Sequence, residues 1–539
     1  MGLQLDAEQQ HLEGRFPTMR SITGWILLLL LFSVAAVGWG CAPPQSTAKP
    51  NVIVYGSPNQ PNTLDPLTAP DIVSRSMIEM IFDGLVAADD KSQLHGDLAT
   101  SWEVSPDGKE WTFALRHGVL WHDGTEFTAD DVKFTYDTVL DPNSKSTVAK
   151  SDYAAIQKVD VLDPYTVRFR LSEPDSSFLS KLVLGIVPKH ILMGQNLATT
   201  PFNQNPIGTG PFMFGSWKQG ESVILKRNPK YFGTIPKIDQ LIWKVVPDSD
   251  ALALQTISGD VDAAPVLNIR DAPAIRDSGK MTLYETLGGN TQISFQLKNP
   301  LFQDVRVRQA LAYGIDTKQL IDTVMQGAAV PATSDILPNS WAYNPNIPTY
   351  GYDPAKAKAL LAGAGWQPGP DGVLTKDGRR FQFTLMTYAG NKDCEQVMLA
   401  VRQNWADLGL DVKAATQERN SFVSQRVLKG DFDAILLQSS VQIDPDLSRR
   451  FASRSITNGQ NFLNYRNPTV DRLLEQALAT TDTEARRQAY FEVQRIMAEE
   501  LPQISLFYPK SVFAFKSGIM GVKPSPTNLF WNADEWEWK

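Results

Sequence analysis

Leu98-Ala99-Thr100-Ser101-Trp102-Glu103-Val104-Ser105-Pro106-Asp107-Gly108-Lys109-Glu110-Trp111-Thr112-Phe113-Ala114-Leu115-Arg116-His117-Gly118-Val119 runs on to Trp121-His122-Asp123-Gly124-Thr125-Glu126-Phe127-Thr128-Ala129-Asp130-Asp131-Val132. Asp107-Gly108 sits between two strand-like runs and reads as a hairpin turn. Trp111, Phe113 and Leu115 lie two apart, which gives that run one apolar face. Asp123-Gly124 is a second turn, so His122 is expected to serve the turn or its packing rather than a ligand. Thr128 followed by Asp131 resembles a capping box and predicts a helix to about Leu140.

The same alternation of strand and helix continues on both sides. Val52-Ile53-Val54-Tyr55 reads as a strand ended by Gly56-Ser57-Pro58. Gly208 and Gly210 around Thr209 mark a tight bend feeding a strand. Asp353-Pro354 is an N-cap with proline at the first helical position, and Gly365 closes that helix. Apolar stripes at helical spacing follow: Val307, Leu311, Ile315; then Val397, Val401, Trp405, Leu408 before Gly409; then Ala485, Ala489, Val493, Ile496, Met497, Leu501 before Pro502. All are expected to face a core. The chain is mixed α/β with several lobes.

Composition narrows the class. The 539 residues carry a net charge of −8, with 42% hydrophobic, 20% charged and two cysteines. At roughly 150 residues per domain, that length implies about three units. Mean hydropathy of −0.22 excludes a polytopic membrane protein, and mild acidity argues against a nucleic-acid partner. Trp25 to Val37 is an apolar run of 13 residues, too short for a hydrocarbon core of ~30 Å but suited to a signal peptide. Residues 1–18 carry Asp6, Glu8 and Glu13, wrong for a cationic leader, so translation is expected to start at Met19 before Arg20. Residues 1–40 are then the signal peptide. Cys41 follows the small residue Gly40, and the stretch through Pro50 reads as a flexible tether. The Gly38-Trp39-Gly40-Cys41 end resembles the lipobox of bacterial lipoproteins, although that pattern prefers Leu where Gly38 stands. The resemblance implies a lipidated Cys41; the plainer alternative is ordinary cleavage. With Cys41 acylated, Cys394 has no disulfide partner.

Catalytic and metal motifs are missing. There is no G-x-x-x-x-G-K-[ST], G-x-S-x-G, H-E-x-x-H or paired C-x-x-C. His117 and His122 are five apart around a glycine, not a helix-borne ligand pair. No metal, no cofactor and no catalytic residue is expected, and the weight moves toward binding.

Several segments together resemble the family 5 extracellular solute-binding proteins, the peptide-, dipeptide- and nickel-binding components of ABC importers. They are Thr63-Leu64-Asp65-Pro66, Phe82-Asp83-Gly84-Leu85, the long stretch quoted first, Asn205-Pro206-Ile207-Gly208-Thr209-Gly210-Pro211-Phe212, Lys226-Arg227-Asn228-Pro229-Lys230-Tyr231-Phe232, Phe302 to Leu311, and Tyr352-Asp353-Pro354-Ala355-Lys356-Ala357. The resemblance implies a two-lobed periplasmic-binding-protein-like α/β fold with a hinge and an inserted subdomain. Lobe I would comprise 50–88, 200–290 and 508–539, the insert 89–199, and lobe II 291–507. A monomer would trap a peptide or similar solute between the lobes and deliver it to an ABC permease, in the periplasm or at the cell surface. Ala42 after the cysteine resembles the sorting pattern for an outer membrane.

The family's peptide binders carry a stretch of the A-G-W-x-x-D kind before a D-P-D turn, whose Asp holds the peptide ammonium. Here Phe432-Asp433-Ala434-Ile435-Leu436-Leu437 leads into Gln438-Ser439-Ser440-Val441-Gln442-Ile443-Asp444-Pro445-Asp446, and Val441 falls where that Asp belongs. Ile435 falls where one oligopeptide-binding branch has Arg. A buried ammonium without a carboxylate costs several kcal/mol. Either Asp444 or another carboxylate takes the amine, or the ligand has none there, as a blocked peptide or sugar-like solute would not. Gln438, Ser439, Ser440 and Gln442 suit hydrogen bonding to such a ligand, although a polar surface loop would look the same. Ile72 and Asn268 are the matching candidates in the other lobe. Competing classes are an enzyme or chaperone-like protein on the same scaffold, a metal-complex binder (which the few histidines do not support), and a sensor, which would need an appended module.

Overall fold

One strand, Gln503–Lys516, organises the molecule. The computed structural model describes residues 51–69 and 71–539; the signal segment, Met19, Cys41 and the tether lie outside the described residues. The first part of that strand pairs antiparallel with Thr291–Phe295, Ile504 opposite Ile293. Its second part pairs with Met281–Leu287 and Ala263–Pro265. Leu506, Tyr508, Ala514 and Phe515 are fully buried along it.

On one side of this strand lies a sheet that also contains Val52–Ser57, Gln240–Val245, Ser222–Arg227 and Phe212–Lys218. On the other side lie Ala434–Gln438, Gln382–Tyr388, Asp411–Gln417 and the short Ala329–Pro331. The chain therefore crosses between the two sheets at Gly288–Asn290 and again within Gln503–Lys516. Gln382–Tyr388 is parallel to both Asp411–Gln417 and Ala434–Gln438. Ala434 and Leu436 enter one core while Ile435 enters another, so this central strand is covered on both faces. That is why it reads as a continuous apolar run instead of an alternation.

The stretch quoted first forms a separate antiparallel sheet ordered Ala99–Val104, Glu110–Leu115, Thr166–Leu171, Ile156–Asp163. Trp111, Phe113 and Leu115 are buried, as their spacing predicts. Helix Ala129–Leu140 starts where expected, with the Thr128 N–H donating to the Asp131 carboxylate at 3.0 Å. Helices Pro354–Gly363, Lys392–Ala406 and Thr483–Glu500 also form at the predicted places. In the last stripe Ala489, Val493, Ile496 and Leu501 are buried and Met497 half-buried as expected, but Ala485 is exposed and Arg486 takes the buried position, one turn before Ala489 and Tyr490.

Motifs far apart in the chain meet at one buried point. Asp83 accepts hydrogen bonds from Thr209 Oγ1 at 2.7 Å and Tyr231 Oη at 3.0 Å. Burial pushes its carboxyl up to about 6, against the pull of those two hydroxyls. Gly208 has no room for a side chain, since a Cβ would stand 1.8 Å from the Ile81 carbonyl oxygen. His122 stitches this bend from above: the Gly208 N–H donates to Nδ1 at 3.2 Å, and Nε2 lies 3.0 Å from the Gly210 oxygen. Accepting at Nδ1 requires the proton on Nε2, which is the neutral imidazole. The turn role expected for His122 is the one found.

Packing around the ring pushes the His122 pKa from 6.5 down to about 4, with the Gly210 carbonyl opposing. An unfolded chain takes up a proton here near 6.5 and the folded one only near 4, so this site withdraws stability as pH falls through that window. NMR titration of the histidine ring carbons should show one imidazole neutral to about pH 4 with its proton on Nε2. His122→Ala should remove that resonance and the matching part of the acid sensitivity.

Candidate binding site

The parallel strands end at Tyr388, Gln417 and Gln438, on one edge of the second sheet. In open α/β sheets the crevice beyond the carboxyl ends of the strands is where ligands bind. The segment 438–446 leaves from this edge and lies against the first crossover. The Ser439 N–H donates to the Asn290 carbonyl at 2.9 Å, and Ser439 Oγ adds a second bond at 3.3 Å. The crossover approaches so closely that a Cβ on Gly289 would stand 1.9 Å from the Ser439 oxygen. The segment is thus fixed to the strands that join the two sheets.

Its side chains divide by role. Gln438, Ser440 and Gln442 are exposed and Ser439 is half-buried. Val441 packs against a small cluster of Ala332, Leu337 and Tyr508. Asp444 is already paired: Arg486 Nη2 donates to its two carboxylate oxygens at 2.7 and 2.8 Å. Burial pushes Asp444 up to about 6 while Arg486 pulls it down, and Asp444 in turn holds the guanidinium above its usual range. Asp446 accepts the Ser448 N–H and Oγ, both at 2.8 Å, capping the next turn. Neither carboxylate of this segment is left for a ligand ammonium.

Ile72 opens helix Ile72–Ile81 and is 70% exposed, a large apolar side chain left in water. Asn268 is exposed and its Oδ1 caps a short turn, accepting from the Arg270 N–H at 3.1 Å. No hydrogen bond or ion pair among the described residues joins Ile72 or Asn268 to 438–446. Two residues away, however, Arg270 Nε reaches Gln326 Oε1 at 2.9 Å, linking that loop to the second sheet's side. Cys41 lies outside the described residues.

Sequence reasoning missed three features here. Arg486 was hidden as a polar residue inside an apolar stripe; its place one turn before Tyr490 was the available signal. Arg419, whose guanidinium lies 5.5 Å from the Tyr388 ring centre, has no ion-pair partner among the described residues. Tyr388 ends one parallel strand and Arg419 follows the end of the next, Asp411–Gln417. Third, a partly buried network ties the crossover together. Arg450 Nη1 donates to Asp335 at 2.7 Å, Gln503 Nε2 donates to it at 2.6 Å, and Asn290 Nδ2 donates to Ser505 Oγ at 2.8 Å. No spacing in the sequence announces pairings over such separations.

A cavity of about 520 Å³ opens beside this network, walled by Ile321, Ala332, Leu447, Phe451 and Leu506. Three of its polar side chains are committed to protein partners: Asp335 and Gln503 to the network, Gln494 to Ser334, Ala342 and Tyr490. Its rim also carries the exposed pair Lys318 and Asp322, while on the 438–442 edge Gln438, Ser440 and Gln442 are exposed. Among the described residues no group of three or more His, Cys, Asp or Glu is arranged to hold a metal.

Residues 93–460 match the family described as bacterial extracellular solute-binding proteins, family 5 Middle. The oligopeptide-binding protein AppA of Bacillus subtilis (strain 168) is 31% identical over 529 residues, spanning 95% of this chain and 97% of its own. The solved structure of AppA from Bacillus subtilis with a nonapeptide is similar at 32% identity with a TM-score of 0.75, covering 91% of this chain and all of that one. HbpA2 from Haemophilus parasuis is similar at 26% identity with a TM-score of 0.81, again covering 91% of this chain and all of that one.

The Asp444–Arg486 pair is buried enough to be tested directly. Removing one partner of such a pair costs about 3 kcal/mol or more, because the other charge is left without compensation. Asp444→Ala and Arg486→Ala should each lower the denaturation midpoint sharply. The double variant should lose much less than the two losses added, as chemical denaturation of all three will read.

Proposed function

The chain belongs to the bacterial extracellular solute-binding proteins of family 5 and is the substrate-binding component of an ABC importer; from that premise we propose that its cargo is a peptide or similar small solute with no free ammonium at Val441. The observation that carries this reading is the state of the carboxylates on the site segment. Val441 stands in an apolar cluster, Asp444 is held by Arg486, and Asp446 caps the Ser448 turn. An ammonium brought there would be desolvated without a counter-charge. The open groups are amides and a hydroxyl, from Gln438, Ser440 and Gln442, beside Ser439, which is held to Asn290, with the cation of Arg419 at the neighbouring strand end. That set suits a blocked or cyclic peptide, or another neutral or acidic solute, bound by hydrogen bonds.

The remaining parts of the reading follow from the same premise. The solute sits in the crevice between lobe I (50–88, 200–290, 508–539) and lobe II (291–507), with 89–199 inserted in lobe I; Ile72 and Asn268 face it from lobe I. Contact with both lobes makes the solute bind the closed form better than the open one, which is the only way a ligand can shift that equilibrium. An ABC permease then receives a monomer. Cys41, acylated after cleavage at residue 40, holds the protein at the outer face of a membrane by the 42–50 tether. The relatives are binding proteins, and no catalytic step is assigned to this chain.

Thermal-shift measurements with di- to pentapeptides, each free and N-acetylated, test the cargo class. The acetylated forms should stabilise the protein at least as well as the free ones, and Val441→Asp should reverse the order by about tenfold or more in affinity. Stronger stabilisation of the unmodified protein by free-amine peptides would refute the reading. Separately, growth of the producing bacterium with labelled palmitate should mark the protein, and Cys41→Ser should abolish the label.

A further inference from the structure

The small antiparallel sheet does more than pad the first sheet: its loop after strand Thr166–Leu171 reaches across to the second sheet's side. There the helix Pro468–Leu478 comes to its end. The last carbonyls of any helix lack intrahelical partners. Two of them are satisfied from the other side of the molecule. The Ser176 N–H donates to the Leu478 oxygen at 2.9 Å, and Ser176 Oγ donates to the Ala477 oxygen at 2.9 Å. The loop that presents Ser176 is itself braced, because Asp175 accepts from the Ser177 N–H at 3.0 Å and from Lys181 Nζ at 2.5 Å.

Two ion pairs flank this cap. Arg454 Nη1 lies 3.3 Å from Glu173 Oε2. Arg449 pairs with Asp152 and donates from Nη2 to Ser151 Oγ at 3.1 Å. Each partner in both pairs is a third or more exposed, so either pair alone is weak. Arg449 directly continues the 438–446 segment, three residues beyond Asp446.

We propose that the loop Glu173–Ser177 is a clasp: it caps the helix Pro468–Leu478 from across the crevice, holds the two halves together, and lets go when they part. The carbonyls it leaves pass to water, so release is reversible. A hydrogen bond of this kind is worth about fivefold in an equilibrium and an exposed ion pair less. The clasp therefore biases closure without locking it, and the segment expected to touch cargo is the one that carries Arg449 to the insert. This goes beyond the cargo assignment and its test needs no cargo.

Hydrogen exchange of the full chain reads it at the Ser176 amide. In the double variant Arg449→Ala/Arg454→Ala, neither altered side chain touches Ser176, yet its amide should exchange about two- to twentyfold faster if the contacts open together. Raising sodium chloride from about 0.05 to about 0.5 M should do the same in the unmodified protein, by screening the two pairs. Amides of strand Gln503–Lys516 should stay protected in both experiments. If Ser176 exchange is unchanged by salt, the clasp does not exist as proposed. An unchanged rate in a folded double variant refutes it equally. Should that variant not fold, the salt series decides alone.

Discussion

Everything in this molecule hangs on a strand that belongs to two sheets. Gln503–Lys516 spends its backbone hydrogen bonds on Thr291–Phe295 at one end and on Met281–Leu287 at the other. Because those bonds are made along one continuous strand, the two sheets are joined where the pairing changes from one to the other. The second crossover, Gly288–Asn290, runs beside it and is pinned to the site segment through Ser439. In the closure proposed above, a segment attached at this crossover would move little while the rims move far.

Local features of this fold were open to reading from the chain alone. The hairpin and helix of 98–140, the helix starts at Asp353 and the stripes of Lys392–Ala406 rest on turn chemistry and periodicity, which act over a few residues. Convergence was not open in the same way. Asp83, Thr209 and Tyr231 lie in three separate motifs, and only the structure shows one carboxylate receiving both hydroxyls. The offset at Ala485 has a related cause. Counting apolar residues passes over an arginine, yet Arg486 is buried because a carboxylate in a distant loop needs it.

The candidate segment could be placed in the chain to the extent that flanking residues fixed its position. Val441 could be located by counting back from Asp444-Pro445-Asp446, and its unsuitability for an ammonium follows from its chemistry. What remained open was whether Asp444 compensates, since that depends on a partner 42 residues away. With Arg486 at 2.7 Å and Tyr490 beneath it, the carboxylate is part of the scaffold. Recruiting it to a ligand amine would strand a buried guanidinium, which exchanges one uncompensated charge for another.

This arrangement explains why strong and weak contacts occupy different places. The nearly buried pair Asp444–Arg486 and the partly buried pair Asp335–Arg450 both lie within residues 291–507. Across the proposed crevice the contacts are exposed ion pairs and a borrowed helix cap, each close in energy to its hydrated alternative. If the strong pairs bridged the crevice, opening would leave charges unmatched and a solute could neither enter nor leave on a useful timescale. In the proposed closure, placing them within one half keeps the strong pairs out of the opening. The free energy of closing is then left small enough for the differential binding of a small solute to decide it.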